Sequence, residues 1–441
     1  MTDAAFFPDD LLKDIRDRFY YVESDPDGTR RTFLESASGS LRLKSVVEAM
    51  SRHSMVPDQL GRASSGSRQA GEVMDRGVED VRLFVGAISG TIMPALSSTH
   101  AVFRVVNAVL GSSPGTNVVT TDLEHPSVYD STERFARVYG KERRVAHVDS
   151  NTGSVSPDSV LDLVDRDTAL ICLIHASNVT GAIVDVKTIA SEARKISPDV
   201  YVMSDGVQYA PHAPLDVEDL GVDAYIFAPY KAFCVKGIAF GYLSDRLARL
   251  DHWALSGKDP TDWTLGSAEQ ATYAAWSAVV DYLAWLGVRF TEANDRRTRV
   301  LAAMNASEAH VSALLKRVLN GSPGFDGLLQ SPHVKVHGFV DDSSRRACLL
   351  LFNLDRMDSH QGVDLYDRAG IRVHNRVRDA YSSAVLDALG VSEGIRLSAC
   401  HYNTPDEIDA FLKVTANLGR VSDEEIASAG AQVSAGGRSE G

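Results

Sequence analysis

A lysine in a turn after an apolar strand pattern is the first residue of this chain that could do chemistry. Lys231 follows Tyr230 directly after the largely apolar run DAYIFAP. An amine removed from water at such a place can condense with an aldehyde and hold it covalently. Taken alone, the pattern is equally typical of a surface lysine in a turn.

Two more polar residues follow the strand pattern VYVMSD. Asp205 ends this run and Gln208 comes three residues later. A carboxylate there could pair with a protonated ring nitrogen, and the amide could contact a ring oxygen. An aspartate that caps a helix N-terminus would give the same pattern, so this pair alone leaves both interpretations open.

Two other apolar runs also end in polar residues. His125 follows the run NVVTT, and its imidazole could stack on a planar ring or carry protons. Ser98 and Thr99 follow TIMPA at the start of a helical pattern, where hydroxyls and unpaired amides suit a phosphate. A histidine with an ordinary polar environment and ordinary helix capping are the alternatives at these two places.

The elements that would position these residues alternate between strand and helix. From Thr91 to about residue 243, apolar runs alternate with helical patterns, which predicts parallel strands joined by crossover helices. In such sheets, sites form at the carboxyl ends of the strands, where the residues above lie. The expected fold class is α/β, with a mostly parallel central sheet in a large domain and a smaller C-terminal α+β domain.

The chain divides into four predicted parts. Residues 1–60 form an N-terminal arm over the large domain, which covers 61–320, and the small domain covers 321–425. We expect a helix from about Asp9 to Arg18, a polar loop from Gly61 to Gly71, and helical stretches from Ala268 to Ala306 and from Glu308 to Leu319. Residues 426–441 are rich in Gly, Ser and Ala and predict a disordered tail.

Composition excludes several classes of function. Forty-five basic against fifty-nine acidic residues give a net charge of −14 without a basic block, which argues against a nucleic-acid partner. No run approaches the ~18 apolar residues of a membrane span, and the acidic N-terminus does not resemble a secretory signal, so we expect a cytoplasmic protein. Four scattered cysteines lack metal-ligand spacing, and no metal site is expected.

Two long segments carry a resemblance to a known family. The runs SNVTGAIVDVKTIA and VMSDGVQYAPHAPLDVEDLGVDAYIFAPYKAFCVKGIAFGYL strongly resemble the class V aminotransferases, and the WTLGSAE segment is similar to their cysteine desulfurase-like branch. The resemblance spans roughly residues 60 to 415. It implies a fold type I enzyme that depends on pyridoxal 5′-phosphate (PLP), usually as a homodimer with shared active sites.

The resemblance also implies roles for individual residues. Lys231 corresponds to the lysine that holds PLP covalently, Asp205 to the partner of the pyridine nitrogen, and His125 to the residue stacked on the ring. The other implied contacts are Asn178 and Gln208 to the ring oxygen, Ser98 and Thr99 to the phosphate, Gly266 and Ser267 to the phosphate of the other subunit, and Arg396 to the substrate α-carboxylate.

This chain departs from the family pattern at three places. Ala228 and Tyr230 stand where many members have serine and histidine, which removes one phosphate ligand and leaves Tyr230 to compensate. The stretch HNRVRDAYSSAVLDALG, residues 374–390, has no cysteine where desulfurases carry their thiol. Within it, His374, Asn375 and Arg376 could tune which bond of the substrate breaks.

Three functions remain open at this point. The favoured one is a PLP-dependent lyase or carbon-bond-forming transferase that acts on an amino acid without a desulfurase thiol. An aminotransferase or epimerase is the second. A non-catalytic protein that kept the PLP fold is the third.

Overall fold

A computed structural model describes residues 6–57, 59–339, 345–347 and 349–429. Its helices are α1 Asp9–Arg16, α2 Lys44–Ser54, α3 Ser65–Val85, α4 Ser98–Ser112, α5 Pro126–Val138, α6 Pro157–Leu161, α7 Val186–Ile196, α8 Val217–Leu220, α9 Asp245–Ala248, α10 Gln270–Gly287, α11 Arg296–Asn320, α12 Ser359–Arg368, α13 Ser383–Ala388, α14 Pro405–Leu418 and α15 Asp423–Ser428. A short 3₁₀ turn covers Pro229–Lys231.

The strands form one large and two smaller sheets. Their bounds are β1 Thr32–Phe33, β2 Thr91–Ala95, β3 Asn117–Thr121, β4 Glu142–Ala146, β5 Thr168–Ile174, β6 Tyr201–Asp205, β7 Ala224–Phe227, β8 Ala239–Leu243, β9 Val334–His337, β10 Leu349–Leu354, β11 Ile371–Arg372, β12 His374–Val377 and β13 Glu393–Ser398. The seven-stranded sheet has the order β2-β8-β7-β6-β5-β3-β4, and the four-stranded sheet has the order β12-β13-β10-β9.

The large sheet is mostly parallel, as the sequence predicts. Strands β4, β3, β5, β6 and β7 run parallel, whereas β8 pairs antiparallel with both β7 and β2. Both faces are covered, because Ile171 of β5 packs into one apolar cluster while Leu170 and Cys172 pack into another. Burial on both faces explains why these strands read as continuous apolar runs.

The first residues of the chain contact both parts of the molecule. Leu11, Leu12 and Ile15 of α1 pack into the core beneath the large sheet. Strand β1 instead pairs in parallel with β11, and Leu34 packs into the core of the C-terminal part. The prediction of an arm over the large domain alone is therefore incomplete, because strand pairing between distant segments leaves little local signal.

The predicted loop from Gly61 to Gly71 is wrong over most of its length. Helix α3 begins at Ser65, after Ser64 caps it by accepting a hydrogen bond from the amide of Ser67. Ala70 and Ser67 are buried, and Gly77 lies so close to Tyr273 that a Cβ there would come within 2.6 Å of it. Packing against α10 overrides the low helix propensity of the glycines and serines.

Two further boundaries differ from the prediction. The helical run from Ala268 to Ala306 is two helices, α10 and α11, with Asp295 capping the second by accepting from the amide of Thr298. At the C-terminus, α15 extends to Ser428 and buries Ile426, because Ser422 and Glu425 form a capping box. The start of the predicted disordered tail is therefore helical, and residues 430–441 lie outside the described residues.

The two larger sheets fall within the two predicted domains. The seven-stranded sheet spans residues 91–243 and the four-stranded sheet spans residues 334–398, while the boundaries near 60 and 320 stay predictions.

Among the described residues, no helix combines the length and apolarity that a membrane crossing requires.

Candidate active site

A cavity of about 330 Å³ opens at the carboxyl ends of the parallel strands. Strands β3, β5, β6 and β7 all end toward it. Eight residues predicted from the sequence line it, namely Ser98, Thr99, His125, Asn178, Asp205, Gln208, Tyr230 and Lys231. These eight residues are up to 133 positions apart in sequence, and they meet because parallel strands place their carboxyl ends on one edge.

Lys231 lies at the centre of this group. Its side chain is buried, with 7% exposure, and its Nζ donates a hydrogen bond to Oε1 of Gln208 at 3.1 Å. The 3₁₀ turn after β7 directs the lysine into the cavity rather than into solvent. The alternative of a surface lysine in a turn is therefore wrong.

The lysine turn is fixed by the N-terminal segment. The carbonyl of Tyr230 accepts hydrogen bonds from Nη1 of Arg42 at 2.9 Å and from the hydroxyl of Ser40 at 3.2 Å. The same Ser40 oxygen accepts from the amide of Phe233 at 2.7 Å. Phe233 has a φ of 67°, which is strained for a bulky residue and persists only where surrounding contacts enforce it.

Asp205 ends β6 below the cavity. Its Oδ1 accepts a hydrogen bond from the amide of Val207 at 3.0 Å, so the residue also caps the turn that follows. Burial raises the pKa of this carboxyl, while the Val207 amide and the Lys231 charge oppose the rise. A buried carboxylate that lines the cavity suits a protonated ring nitrogen, which would stabilise its charged form.

His125 lies at the N-terminus of α5 and lines the same cavity. Its Nδ1 accepts from the amide of Ser127 at 3.1 Å, and this bond fixes the ring. Burial, the Lys231 charge and the Arg376 charge lower its pKa to about 4. The imidazole is therefore neutral near pH 7, and its face is suited to stacking on a planar ring.

Asn178 connects the cavity with the predicted substrate arginine. Its side-chain Oδ1 is buried and makes no hydrogen bond within the described residues. Its backbone carbonyl accepts from Nη1 of Arg396 at 2.7 Å. An open amide oxygen at the cavity wall is a place where a bound ligand can donate a hydrogen bond.

The start of α4 forms one end of the cavity, where the sequence predicts phosphate binding by Ser98 and Thr99. The helix begins at Ser98, as the pattern after TIMPA predicts, and Ser97 caps it by accepting from the amide of His100 at 3.1 Å. The amides of Ser98 and Thr99 have no acceptor within the helix and lie at its positive end. Lys236 also lines the cavity, whereas Ala228 offers no hydroxyl there.

The three predicted substrate residues do not line the cavity itself. Arg396 is buried behind Asn178 and donates to the hydroxyl of Ser38 at 2.5 Å. His374 pairs with Arg396 across β12 and β13, and its Nδ1 lies 3.4 Å from a carboxylate oxygen of Glu35. Arg376 donates to the carbonyl of Tyr381 at 3.3 Å, so it supports the loop rather than the cavity wall.

Gly266 and Ser267 lie apart from the cavity in this single chain. Ser267 lines a neighbouring pocket of about 150 Å³ that shares Leu96, Gly237 and Ile238 with the main cavity. Both residues are exposed. Their implied role toward the phosphate of another subunit stays a prediction.

Among the cavity residues that the sequence analysis did not predict are a tyrosine and a second lysine. Tyr381 lines the cavity, and its ring centre lies 5.7 Å from that of His125. Lys236 is a second lysine five residues after Lys231, with its Nζ 5.8 Å from the centre of the Tyr230 ring. Tyr381 lies within residues 374–390, where desulfurases carry their thiol. No local pattern marks it further, since a long-range contact leaves none.

The donor set fits PLP. The cavity combines a buried amine, a carboxyl below it, a neutral imidazole, an open Asn178 oxygen and a helix N-terminus, and each suits a different part of the cofactor. No cluster of three or more potential metal ligands occurs among the described residues. The arrangement favours organic cofactor chemistry at Lys231.

Comparisons with known proteins agree with this geometry. The family model described as Aminotransferase class-V matches residues 32–411. Aminotransferase-like protein FGM3 of Gibberella zeae is 26% identical and covers 91% of this chain and 96% of that protein. A cysteine desulfurase of Pectobacterium carotovorum is also 26% identical, over 93% of this chain and 98% of its own length.

Solved structures show the same fold. The cysteine desulfurase of Thermococcus onnurineus has a TM-score of 0.77 at 20% identity, with 92% of this chain and 98% of that chain covered. The Escherichia coli cysteine desulfurase CsdA has a TM-score of 0.75 at 21% identity, over 93% and 99%. The chain therefore belongs to the class V aminotransferase family, as a PLP-dependent enzyme of fold type I similar to the cysteine desulfurases.

Proposed function

We propose that this enzyme is a lyase or carbon-bond-forming transferase that acts on an amino acid and does not use a desulfurase thiol. The observation that carries the proposal is the absence of a cysteine from residues 374–390, which cover β12 and most of the segment that leads to β13. At this place the chain instead presents Tyr381 to the cavity beside His125.

The cysteines within the described residues are poor substitutes for a mobile thiol. Cys172, Cys234 and Cys400 are all buried. Cys234 is closest in sequence to Lys231, and burial raises the pKa of its thiol to about 12. A thiol that stays protonated at neutral pH is a weak nucleophile toward sulfur.

Residues in and beside the cavity would supply the groups that PLP chemistry on an amino acid needs. When bound, PLP supplies an electron sink for the pair left by a broken bond at the substrate α-carbon. Lys231 would hold the cofactor and move a proton at that carbon, while Asp205 would keep the ring nitrogen protonated. Arg396 lies behind Asn178, and it would bind the substrate carboxylate as a bidentate clamp by exchanging its bonds to the Asn178 carbonyl and the Ser38 hydroxyl for bonds to the substrate.

An amino-acid screen by mass spectrometry tests the proposal. The purified holoenzyme is incubated with single amino acids, with and without electrophilic acceptors. An eliminated fragment or a carbon-carbon adduct supports it. Alanine and a persulfide formed from cysteine would contradict it, and a keto acid with the pyridoxamine form of the cofactor would favour an aminotransferase. Cys234→Ser should leave the product pattern unchanged.

We also infer that two copies of the chain share their active sites. Exposed apolar residues near the Gly266–Ser267 segment support this, namely Trp253, Leu255 and Leu265. Sedimentation equilibrium of the holoenzyme should give a mass of two chains. Monomers at micromolar concentration that keep full activity would contradict the shared-site proposal.

A further inference from the structure

A second cavity, of about 350 Å³, lies outside the active site and shares no lining residue with it. One wall is the segment after β6, with Tyr209, His212 and Ala213. The opposite wall is one face of α11, with Asn305, Glu308 and Ser312. Cavities of this size hold small molecules rather than macromolecules.

Glu308 is the acidic residue that lines this cavity. Burial raises the pKa of its carboxyl, and no hydrogen bond or ion pair involves it within the described residues. The pKa of the Tyr209 hydroxyl rises to about 12, first through burial and then through the nearby Glu308 charge. The Tyr209 hydroxyl also makes no hydrogen bond in the described part of the chain.

Arg346 also lines the cavity, but it does not neutralise Glu308. The guanidinium of Arg346 donates from Nε to the carbonyl of Phe339 at 3.0 Å and from Nη1 to that of Thr180 at 2.6 Å. Its Nη2 donates to the carbonyl of His337 at 3.0 Å. The Arg346 side chain is therefore held by backbone oxygens.

The remaining wall is neutral and polar. Burial and the Lys231 charge lower the pKa of His212 to about 3, so its ring carries no charge near pH 7. Ser312 lies one helical turn from Glu308 and adds a hydroxyl. A carboxylate flanked by hydroxyls and a neutral ring recognises a cation that can also form hydrogen bonds.

We propose that this cavity is an accessory binding site for a small protonated amine, with the ammonium group bound by Glu308 and a polar substituent bound by Tyr209 and Ser312. The site is distinct from the PLP cavity, and the proposal does not depend on the reaction proposed above. Its ligand class is a small alkylammonium compound that carries a hydroxyl or similar group.

Titration calorimetry on the holoenzyme tests this site with N,N-dimethylethanolamine as the probe. In its protonated form this tertiary amine has one N–H and one hydroxyl, and it cannot form an imine with an aldehyde. The matched neutral compound is 3-methyl-1-butanol, which has the same shape without the charge. We expect saturable binding of the amine and none of the alcohol.

Variants locate the binding. Glu308→Gln should weaken binding of the amine at least about tenfold, as loss of a charged hydrogen bond does. Glu48→Gln, at an exposed position on α2, removes the same charge elsewhere and should change nothing. Ser312→Leu fills the cavity and should abolish binding, so it tests the site even if Glu308→Gln does not fold. Arg396→Ala changes a residue outside this cavity and should bind the amine like the wild type.

Three outcomes would overturn the proposal. One is the absence of saturable binding to the wild type, and another is equal binding of the neutral alcohol. The third is unchanged binding in Glu308→Gln, or in Ser312→Leu where Glu308→Gln does not fold. Loss of turnover in the amino-acid screen with intact amine binding would separate a failure of the proposed reaction from a failure of this site.

Discussion

Individual side chains at the cavity have environments that fix their chemical state. The Nζ of Lys231 lies 3.1 Å from an amide oxygen of Gln208, and His125 is neutral because burial and two nearby cations oppose its protonation. These features depend on side chains from four segments, namely those after β3, β6 and β7 and strand β12. They suit a ring cofactor held by an amine.

Lys231→Ala should remove the covalent attachment point of PLP. We expect the visible absorbance of the bound cofactor to disappear and turnover to fall by at least about a thousandfold. Absorbance spectra and initial rates of the purified variant measure both effects. Lys236→Ala removes another lysine from the same cavity and should keep the absorbance; a variant of Lys231 that keeps both absorbance and activity would refute the assignment.

Arg396→Ala should weaken substrate binding while PLP stays bound. Loss of a buried, hydrogen-bonded charge partner costs on the order of 2–5 kcal/mol, which appears as a higher KM. Steady-state kinetics and the visible spectrum separate the two properties. Arg378→Ala, an exposed arginine of the adjoining loop that pairs with Asp387, is the control. An unchanged KM in Arg396→Ala would exclude the clamp.

At the scale of elements, the turn that carries Lys231 depends on a segment nearly 190 residues earlier in the chain. Ser40 and Arg42 bind the carbonyl of Tyr230, and Ser40 also binds the amide of Phe233. These bonds offset the strain of a phenylalanine at positive φ. The N-terminal segment is thus a structural support of the active-site turn.

Ser40→Ala should loosen this turn. Removing the hydroxyl leaves a buried amide without its acceptor, which costs about 1–3 kcal/mol of the free energy of unfolding. Thermal or denaturant unfolding of the holoenzyme measures the loss. Ser45→Ala, at an exposed position of α2, provides the comparison. Equal stability of the two variants would show that Ser40 does not support the turn.

At the scale of the whole molecule, burial holds several histidines neutral. It lowers the pKa values of His125 and His310 to about 4 and those of His175, His212, His374 and His401 to about 3. In the unfolded chain these groups regain the ordinary value of 6.5. Between pH 6.5 and about 3 the unfolded state therefore binds more protons, and acid favours unfolding.

His175→Gln should flatten this dependence on pH. His175 is buried, bonds the Tyr225 hydroxyl at 2.9 Å and stacks on Tyr209. Because His175 stays neutral in the folded state and is protonated in the unfolded state, the free energy of unfolding falls by up to about 1.4 kcal/mol per pH unit as pH decreases below 6.5. Unfolding free energies at several pH values between 7.5 and 4.5 measure the slope. The exposed His360→Gln is the control, and an unaltered slope in His175→Gln would contradict the prediction.

The sequence by itself determined the alternation of strands and helices, the lysine turn and the polar residues at the strand ends. These features are local, because buried parallel strands are continuous apolar runs and turns need particular residues. It also identified the family through two long motifs. Asp205, His125 and Lys231 could therefore be assigned before any distance was known.

Only the tertiary structure decided which residues meet across the chain. Four features depend on contacts between distant segments. They are the antiparallel position of β8, the helix start at Ser65, the approach of Tyr381 to His125, and the support of the lysine turn by Ser40. It also placed Arg396 behind Asn178 instead of in the cavity wall. Such contacts are set by packing and strand order, which residue types and spacing along the chain do not encode locally.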